Sequence, residues 1–249
     1  MEDEVAPQMN SQRVVSATPA GACAACAVHL AGLLKRALDI EPLASLAVSG
    51  GVTPAAMFDL LADQDVDWNR VHLFWVDERT VPPGDPRSNY GMTLSHLIGP
   101  AAIPAENIHR IAGEISPHEA ARRYEFDIRA FFRCGVDTLP RFDVIQLGVG
   151  GDGHTASLFP GDPLVENRES IAAAVYFEPA SEWRVTLLPG VLLAARDLAV
   201  LATGGNKAEP LHRAWEGAYN PMLCPAQILT RERRSSAWFL DAAAAANLQ

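Results

Sequence analysis

The chain has 249 residues, 49% of them hydrophobic and 20% charged, with a formal net charge of −10 and an isoelectric point near 5.1. A chain of this size buries a sizeable core without needing disulfides or a structural metal. So acidic a surface repels phosphate backbones and anionic bilayers, which argues against nucleic acid and membrane as partners. Any phosphate ligand must then sit in a concentrated pocket of local cations.

The opening MEDEVAPQMN is acidic and lacks the basic region of a secretory signal. No apolar run is expected to reach the ~18 residues of a membrane span, so the cytoplasm is the default location. The first dozen or so residues and the Ala-rich tail are read as disordered. Residues 22–40 predict a helix. Cys23 and Cys26 form a CxxC there with His29 nearby, but no second pair follows, and small buried residues on an Ala-rich helix are the simpler account. Residues 43–48 predict a buried strand, 54–63 a helix and 71–76 a second buried strand. A Pro/Gly-rich loop follows, then a short helix over 90–97. The clearest amphipathic helix covers 117–133, and a strand follows over 142–147. Further strands are expected at 172–177, 184–188, 198–202 and 237–240, with a helix over 206–216. Continuously apolar strands separated by helices point to one α/β domain. Its sheet is open, mainly parallel and Rossmann-like, with helices on both faces. In such folds ligands bind at the C-terminal ends of the strands.

Four motifs fall at those ends. Ser49-Gly50-Gly51-Val52-Thr53-Pro54 joins a strand to a helix, where free N–H groups favour an anion; a tight turn with Thr53 as N-cap is the alternative. Asp77-Glu78-Arg79 puts three charges after a buried strand, with Arg79 able to grip a phosphate or the three forming a structural ion pair. Gly148-Val149-Gly150-Gly151-Asp152-Gly153-His154 satisfies GxGxxG formally. Yet it lies in mid-chain, and no clean strand ends in an acidic residue about 20 positions later, so a dinucleotide site is weakly supported. A histidine among four glycines is better placed for acid–base work than for packing. A short helix starting at His154 would keep its ring neutral. In Thr203-Gly204-Gly205-Asn206-Lys207 the lysine is conspicuous: of 20 Lys plus Arg only Lys35 and Lys207 are lysine. A compact ammonium aimed at a phosphate explains that choice. The other histidines lack ligand spacing, so no metal or cofactor is expected, and no GxSxG elbow supports a serine hydrolase.

Taken together, LAVSGGVTP, VHLFWVDERTVPPGDPRSNYGM, FDVIQLGVGGDGHTASLFPG, RVTLLP and TGGNKA resemble the 6-phosphogluconolactonase family, in its order, over about residues 43–210. The resemblance implies hydrolysis of 6-phospho-D-glucono-1,5-lactone to 6-phosphogluconate. On this reading Ser49, Gly50, Gly51, Thr53, Arg79 and Lys207 hold the phosphate, with Gly150 and Gly151 at the site. His154 activates water, and N–H groups of the 150–153 loop stabilise the oxyanion. Asp152 or Asp77 orients the imidazole, and Asn89 and Arg184 are further substrate contacts. Related glucosamine-6-phosphate deaminases follow the histidine with Asn-Glu-Pro, where this chain has Ser157-Leu158-Phe159-Pro160 and no carboxylate. A sugar-phosphate sensor would need neither His154 nor so acidic an N-terminus. The implied partner is a small phosphorylated sugar lactone, with the chain a monomer or small homo-oligomer.

Overall fold

The computed structural model describes residues 11–233 and 235–249. Chain order runs β1 (Gln12–Ser16), α1 (Pro19–Ile40), β2 (Ala44–Val48), α2 (Val52–Ala62), β3 (Val71–Trp75), β4 (Asp77–Arg79), α3 (Asn89–Thr93), β5 (Ile108–His109), α4 (Pro117–Phe132), β6 (Val144–Leu147), β7 (Ala172–Phe177), β8 (Glu182–Leu187), α5 (Pro189–Ala194), β9 (Asp197–Ala202), α6 (Ala208–Trp215) and β10 (Ala237–Asp241). Seven strands form an open, all-parallel sheet in the order β1-β10-β9-β6-β2-β3-β5. Every residue of β2, β6 and β10 is buried, so both faces of the sheet are covered, as their mostly apolar sequences require.

Helix α1 starts where Thr18 accepts a hydrogen bond from the Gly21 N–H and Pro19 supplies the first turn. Ala22, Cys26, Leu30, Leu34 and Leu38 recur at four-residue spacing and are buried over β2, β6, β9 and β10. At 22 residues it is long and apolar enough to cross a membrane, contrary to the expectation from sequence, but the sheet and α2 consume its apolar face. Cys23 and Cys26 are free and buried. Burial raises both thiols above their ordinary range, so neither is a ready thiolate for redox or metal chemistry.

The structure corrects the sequence reading in several places. Strand β1 was not foreseen; it pairs in parallel with β10 from Gln12↔Ala237 to Ser16↔Asp241. Expected disorder over residues 1–10 lies outside the described residues, but residues 12 onward are ordered in β1. The Ala-rich tail is ordered too, with Ala244 buried and its N–H donating to Asp241. The strands at 172–177 and 182–187 do not join the main sheet. With β4 they form a second, three-stranded antiparallel sheet, β4-β8-β7. Only residues 178–181 connect β7 to β8, and so short a connection allows a hairpin but not a parallel crossover. The helix expected over 90–97 is α3 followed by a π-type turn, Leu94–Ile98, and the one expected from Asn206 opens with a 3-10 turn, Gly205–Lys207.

The two sheets meet at Val76. Its N–H bonds to Val48 of the first sheet, and its carbonyl accepts from the Leu187 N–H of the second. Side chains on β4 and β8 are thereby brought over the C-terminal ends of β2, β6 and β9.

Candidate active site

After β2 the backbone turns through Ser49, Gly50 and Gly51. The Ser49 N–H and hydroxyl both donate to Gln146 Oε1, at 3.1 and 3.0 Å. A side chain on Gly50 would fall 1.8 Å from Asn89 Oδ1, so the glycine is needed for Asn89 to approach. Gly51, at φ +116°, is the N-cap of α2 without a side-chain cap, which displaces Thr53 from that role. Thr53 instead pairs with the Thr203 hydroxyl at 3.0 Å.

Asp77, Glu78 and Arg79 make no ion pair with one another, against one of the two alternatives. The Asp77 carboxylate is buried. It accepts from the Ser157 hydroxyl at 2.6 Å and from the Asn89 amide at 3.3 Å, while that amide also donates to the Asp77 carbonyl at 2.8 Å. Glu78 is turned the other way, into the start of α3. Burial raises its pKa, and hydrogen bonds from the N–H groups of Tyr90, Asn89 and Arg79 and from the Ser88 hydroxyl oppose that rise. Arg79 holds the Arg87 carbonyl through Nη1, and its buried Nε has no partner among the described residues. Arg184 lies directly opposite Arg79 in the β4–β8 ladder.

The glycine loop after β6 carries His154. No helix starts there: residues 151–153 form a turn and Thr155 bridges to Leu158, so a helix dipole does not act on the ring. The His154 N–H bonds to Asp152 Oδ1 at 3.0 Å, and Nδ1 lies 2.6 Å from the same oxygen. Burial would raise the Asp152 carboxyl, but the hydrogen bond and charge of His154, with nearby backbone N–H groups, outweigh it and hold the group at about 2. An ionised Asp152 can only accept, so in the neutral imidazole Nδ1 carries the proton and Nε2 keeps its lone pair. Asp152, not Asp77, is therefore the carboxylate on the ring. A side chain on Gly150 would come within 2.2 Å of the imidazole, and one on Gly153 (φ +95°) within 2.9 Å of Cys224 Sγ. Gly150 N–H is spent on the His154 carbonyl and Gly153 N–H on the Gly150 carbonyl. Neither is free for an oxyanion. The N–H groups of Gly151 and Asp152 have no protein acceptor among the described residues, and of the two residues Gly151 lines the cleft.

After β9, Gly204 takes φ +94° and donates its N–H to Asp241 Oδ1 at 2.9 Å. Lys207 follows with no hydrogen-bond partner for its ammonium among the described residues. Burial lowers its pKa, and Asp152 pulls it back up. Arg184 is held by Glu182 and its Cζ lies 4.9 Å from the Phe177 ring and 5.5 Å from Phe159. Phe159 also meets the His154 ring edge to face at 5.0 Å.

These groups surround a cleft of about 250 Å³. Ser49, Gly50, Asp77, Arg79, Asn89, Gly150, Gly151, His154, Arg184 and Lys207 all line it, as does Ala156, which the sequence did not single out. Asp152 stands behind His154. Gly51 faces a neighbouring groove along α2, and Thr53 is turned to Thr203, so neither lines the cleft. Sequence reasoning also missed Gln146, Ser157 and Glu182, which touch cleft residues from behind. For Gln146 and Ser157 the signal is a polar residue flanked by apolar ones; Glu182, in Ser181-Glu182-Trp183-Arg184, gives none.

A parallel α/β sheet with an imidazole–carboxylate pair and three cations at its C-terminal edge defines an enzyme built for a small anionic substrate. The family model described as glucosamine-6-phosphate isomerases/6-phosphogluconolactonase matches residues 17–238, and the chain belongs to that family. A 6-phosphogluconolactonase of Haemophilus influenzae is 36% identical over 203 residues, covering 80% of this chain and 85% of that one. The structure of 6-phosphogluconolactonase from Trypanosoma brucei superposes with a TM-score of 0.86 at 26% identity, over 97% of this chain and 100% of that one. A monomeric glucosamine-6-phosphate deaminase, 19% identical, shares the fold with a TM-score of 0.80 over 95% of this chain and 99% of that one. The named relatives put the chain with the carboxylic-ester hydrolases of the family.

Proposed function

We propose that this chain hydrolyses 6-phospho-D-glucono-1,5-lactone to 6-phosphogluconate in the cytoplasm, the second step of the oxidative pentose phosphate pathway. The carrying observation is the Asp152–His154 pair at 2.6 Å, with Nε2 left free in a cleft that also holds Arg79, Arg184 and Lys207. The phosphate would take Arg79, Lys207 and the Gly50 N–H, leaving the lactone carbonyl near the glycine loop. Nε2 removes a proton from water as the oxygen adds to C1, and the Gly151 N–H is the donor best placed for the oxyanion. Collapse breaks the bond from C1 to the ring oxygen, which takes the proton back from the imidazolium. Asp152 orients the ring and stabilises its charge throughout. The strained lactone reacts readily, so modest acid–base help and positioning suffice.

The amino-sugar alternative needs a second acid–base carboxylate beside His154. Among the described residues only Asp152 hydrogen-bonds that ring, and Ser157, where deaminases carry their Asn-Glu-Pro stretch, is committed to Asp77. The test is hydrolysis of freshly generated lactone above its spontaneous rate, with and without EDTA, by wild type and His154→Ala. We expect an EDTA-resistant wild-type rate that falls by roughly 10²–10⁴-fold in the folded variant. A wild-type rate no faster than the spontaneous one would rule the reaction out.

A further inference from the structure

Arg79 and Arg184 oppose each other across the β4–β8 ladder, and both side chains enter the cleft. Like charges directly opposite one another on antiparallel strands repel, so this pair needs a counter-charge to keep both guanidinium groups in place. One is present on the same strand, two residues from Arg184 and hence on the same face. Glu182 Oε1 accepts from Arg184 Nε at 2.9 Å and from Nη2 at 2.6 Å, with both side chains nearly buried. The aromatic platform of Phe159 and Phe177, stacked at 4.2 Å, lies beside the same guanidinium. Of the five N–H donors of Arg184, Glu182 takes one on Nε and one on Nη2, so the two on Nη1 and the second on Nη2 have no protein acceptor among the described residues. The other Glu182 oxygen faces Arg87 Nη1 at 3.5 Å, and Arg87 belongs to the segment whose carbonyl Arg79 holds.

We infer that Glu182, which does not itself line the cleft, is a positioning residue: it fixes Arg184 so that its free Nη1 faces the bound anion beside Arg79. Glu182 draws Arg184 away from Arg79, spends two of its donors, and leaves Nη1 wholly free for the ligand. Freed from Glu182, Arg184 would be pushed by Arg79 and would lose side-chain entropy anew on each binding event. Glu182 also ties Arg87, and with it residues 82–88, to the same strand.

The identity of the anion rests on the lactonase reading, so the test has an arm that does not. Binding of 6-phosphogluconate is titrated calorimetrically against wild type, Glu182→Gln, Arg184→Met and the double variant, alongside KM and kcat for lactone hydrolysis. We expect Glu182→Gln to weaken product binding and raise KM about tenfold, with kcat within about twofold and the thermal midpoint little changed. In the Arg184→Met background the same change should cost nothing further, since Glu182 acts through Arg184. Losses that add in the double variant would overturn the inference, as would unchanged affinity. Tighter binding in Glu182→Gln would overturn it too, since Glu182 would then be only a repulsive charge near the anion. If Glu182→Gln does not fold, Glu182→Asp, which keeps the charge but withdraws it by one methylene, goes through the same cycle with the same outcomes. A wild type that binds product but leaves the lactone untouched would remove the proposed reaction while leaving the titration of Glu182 to decide this inference.

Discussion

Asp152 and His154 are two residues apart, and the turn through Gly153 lets the carboxylate reach both the His154 N–H and its ring. Because the Asp152 carboxyl is held at about 2, it stays ionised throughout the working range, and the acid limb of a pH–rate profile above pH 4 does not belong to it. The same depression has a sign for stability. A carboxylate with a lowered folded pKa stabilises the fold above its unfolded pKa, and that contribution is lost as pH falls from about 4 towards 2. Asp152→Asn keeps the shape but can present an N–H to Nδ1, favouring the tautomer with its proton on Nε2. We expect kcat to fall roughly 10²–10⁴-fold with KM nearly unchanged and the fold intact by circular dichroism. A loss below threefold would show that the carboxylate does not set the tautomer. His154 stands out in the sequence as a histidine among four glycines, and the fold brings it into the cleft against Phe159. Which carboxylate served it was not, since Asp77 and Asp152 both follow strands and only the folded chain shows Asp77 committed to Ser157 and Asn89. Thr53 looked like a phosphate ligand on the pattern alone. It fails because α2 begins at Val52, one residue earlier, and its hydroxyl points to Thr203.

At the level of elements, the short helix α3 exists because Glu78 and Ser88 satisfy its first turn. The carboxylate collects the N–H groups of Asn89 and Tyr90, and the Ser88 oxygen takes that of Gly91. Glu78 therefore sets the position of Asn89, whose amide reaches Asp77 in the cleft. Glu78→Gln places an amide NH₂ among donors and strands at least one of them. We expect a loss of about 3 kcal/mol of stability in urea unfolding, with a several-fold higher KM. Unchanged stability would mean that the four hydrogen bonds only offset the cost of burying the charge. The parallel strands β2, β3, β6 and β9 were readable from their predominantly apolar runs. The second sheet was not: β4 has three residues, all charged, and gives no strand signal. The antiparallel pairing of β7 and β8 was in principle legible, since residues 178–183 are too few to carry a crossover helix between the two expected strands. Glu182 and Arg184 share a face only once that hairpin is recognised.

Across the whole molecule, the acidic chain gathers its cleft cations from two sheets: Arg79 and Arg184 from the small one, Lys207 from the loop after β9 in the large one. The last strand holds that loop. Asp241, buried at the end of β10, accepts the Gly204 N–H at 2.9 Å and the Ala244 N–H at 3.0 Å, so one carboxylate fastens both the Lys207 loop and the tail. The tail's alanines carry no pattern of their own, and an interaction spanning residues 204 to 244 through a single side chain leaves no local trace; this is why the tail reads as disordered. Asp241→Ala removes the shared acceptor and leaves two N–H groups without it. We expect a loss of about 3 kcal/mol, faster proteolysis within residues 242–249, and several-fold weaker binding of 6-phosphogluconate. Asp241→Asn retains a carbonyl oxygen at the Oδ1 position and should recover most of each effect. If the tail were cleaved faster in Asp241→Ala while product affinity stayed at the wild-type value, Asp241 would anchor the terminus alone, and the position of Lys207 would be set by the Gly204 turn itself.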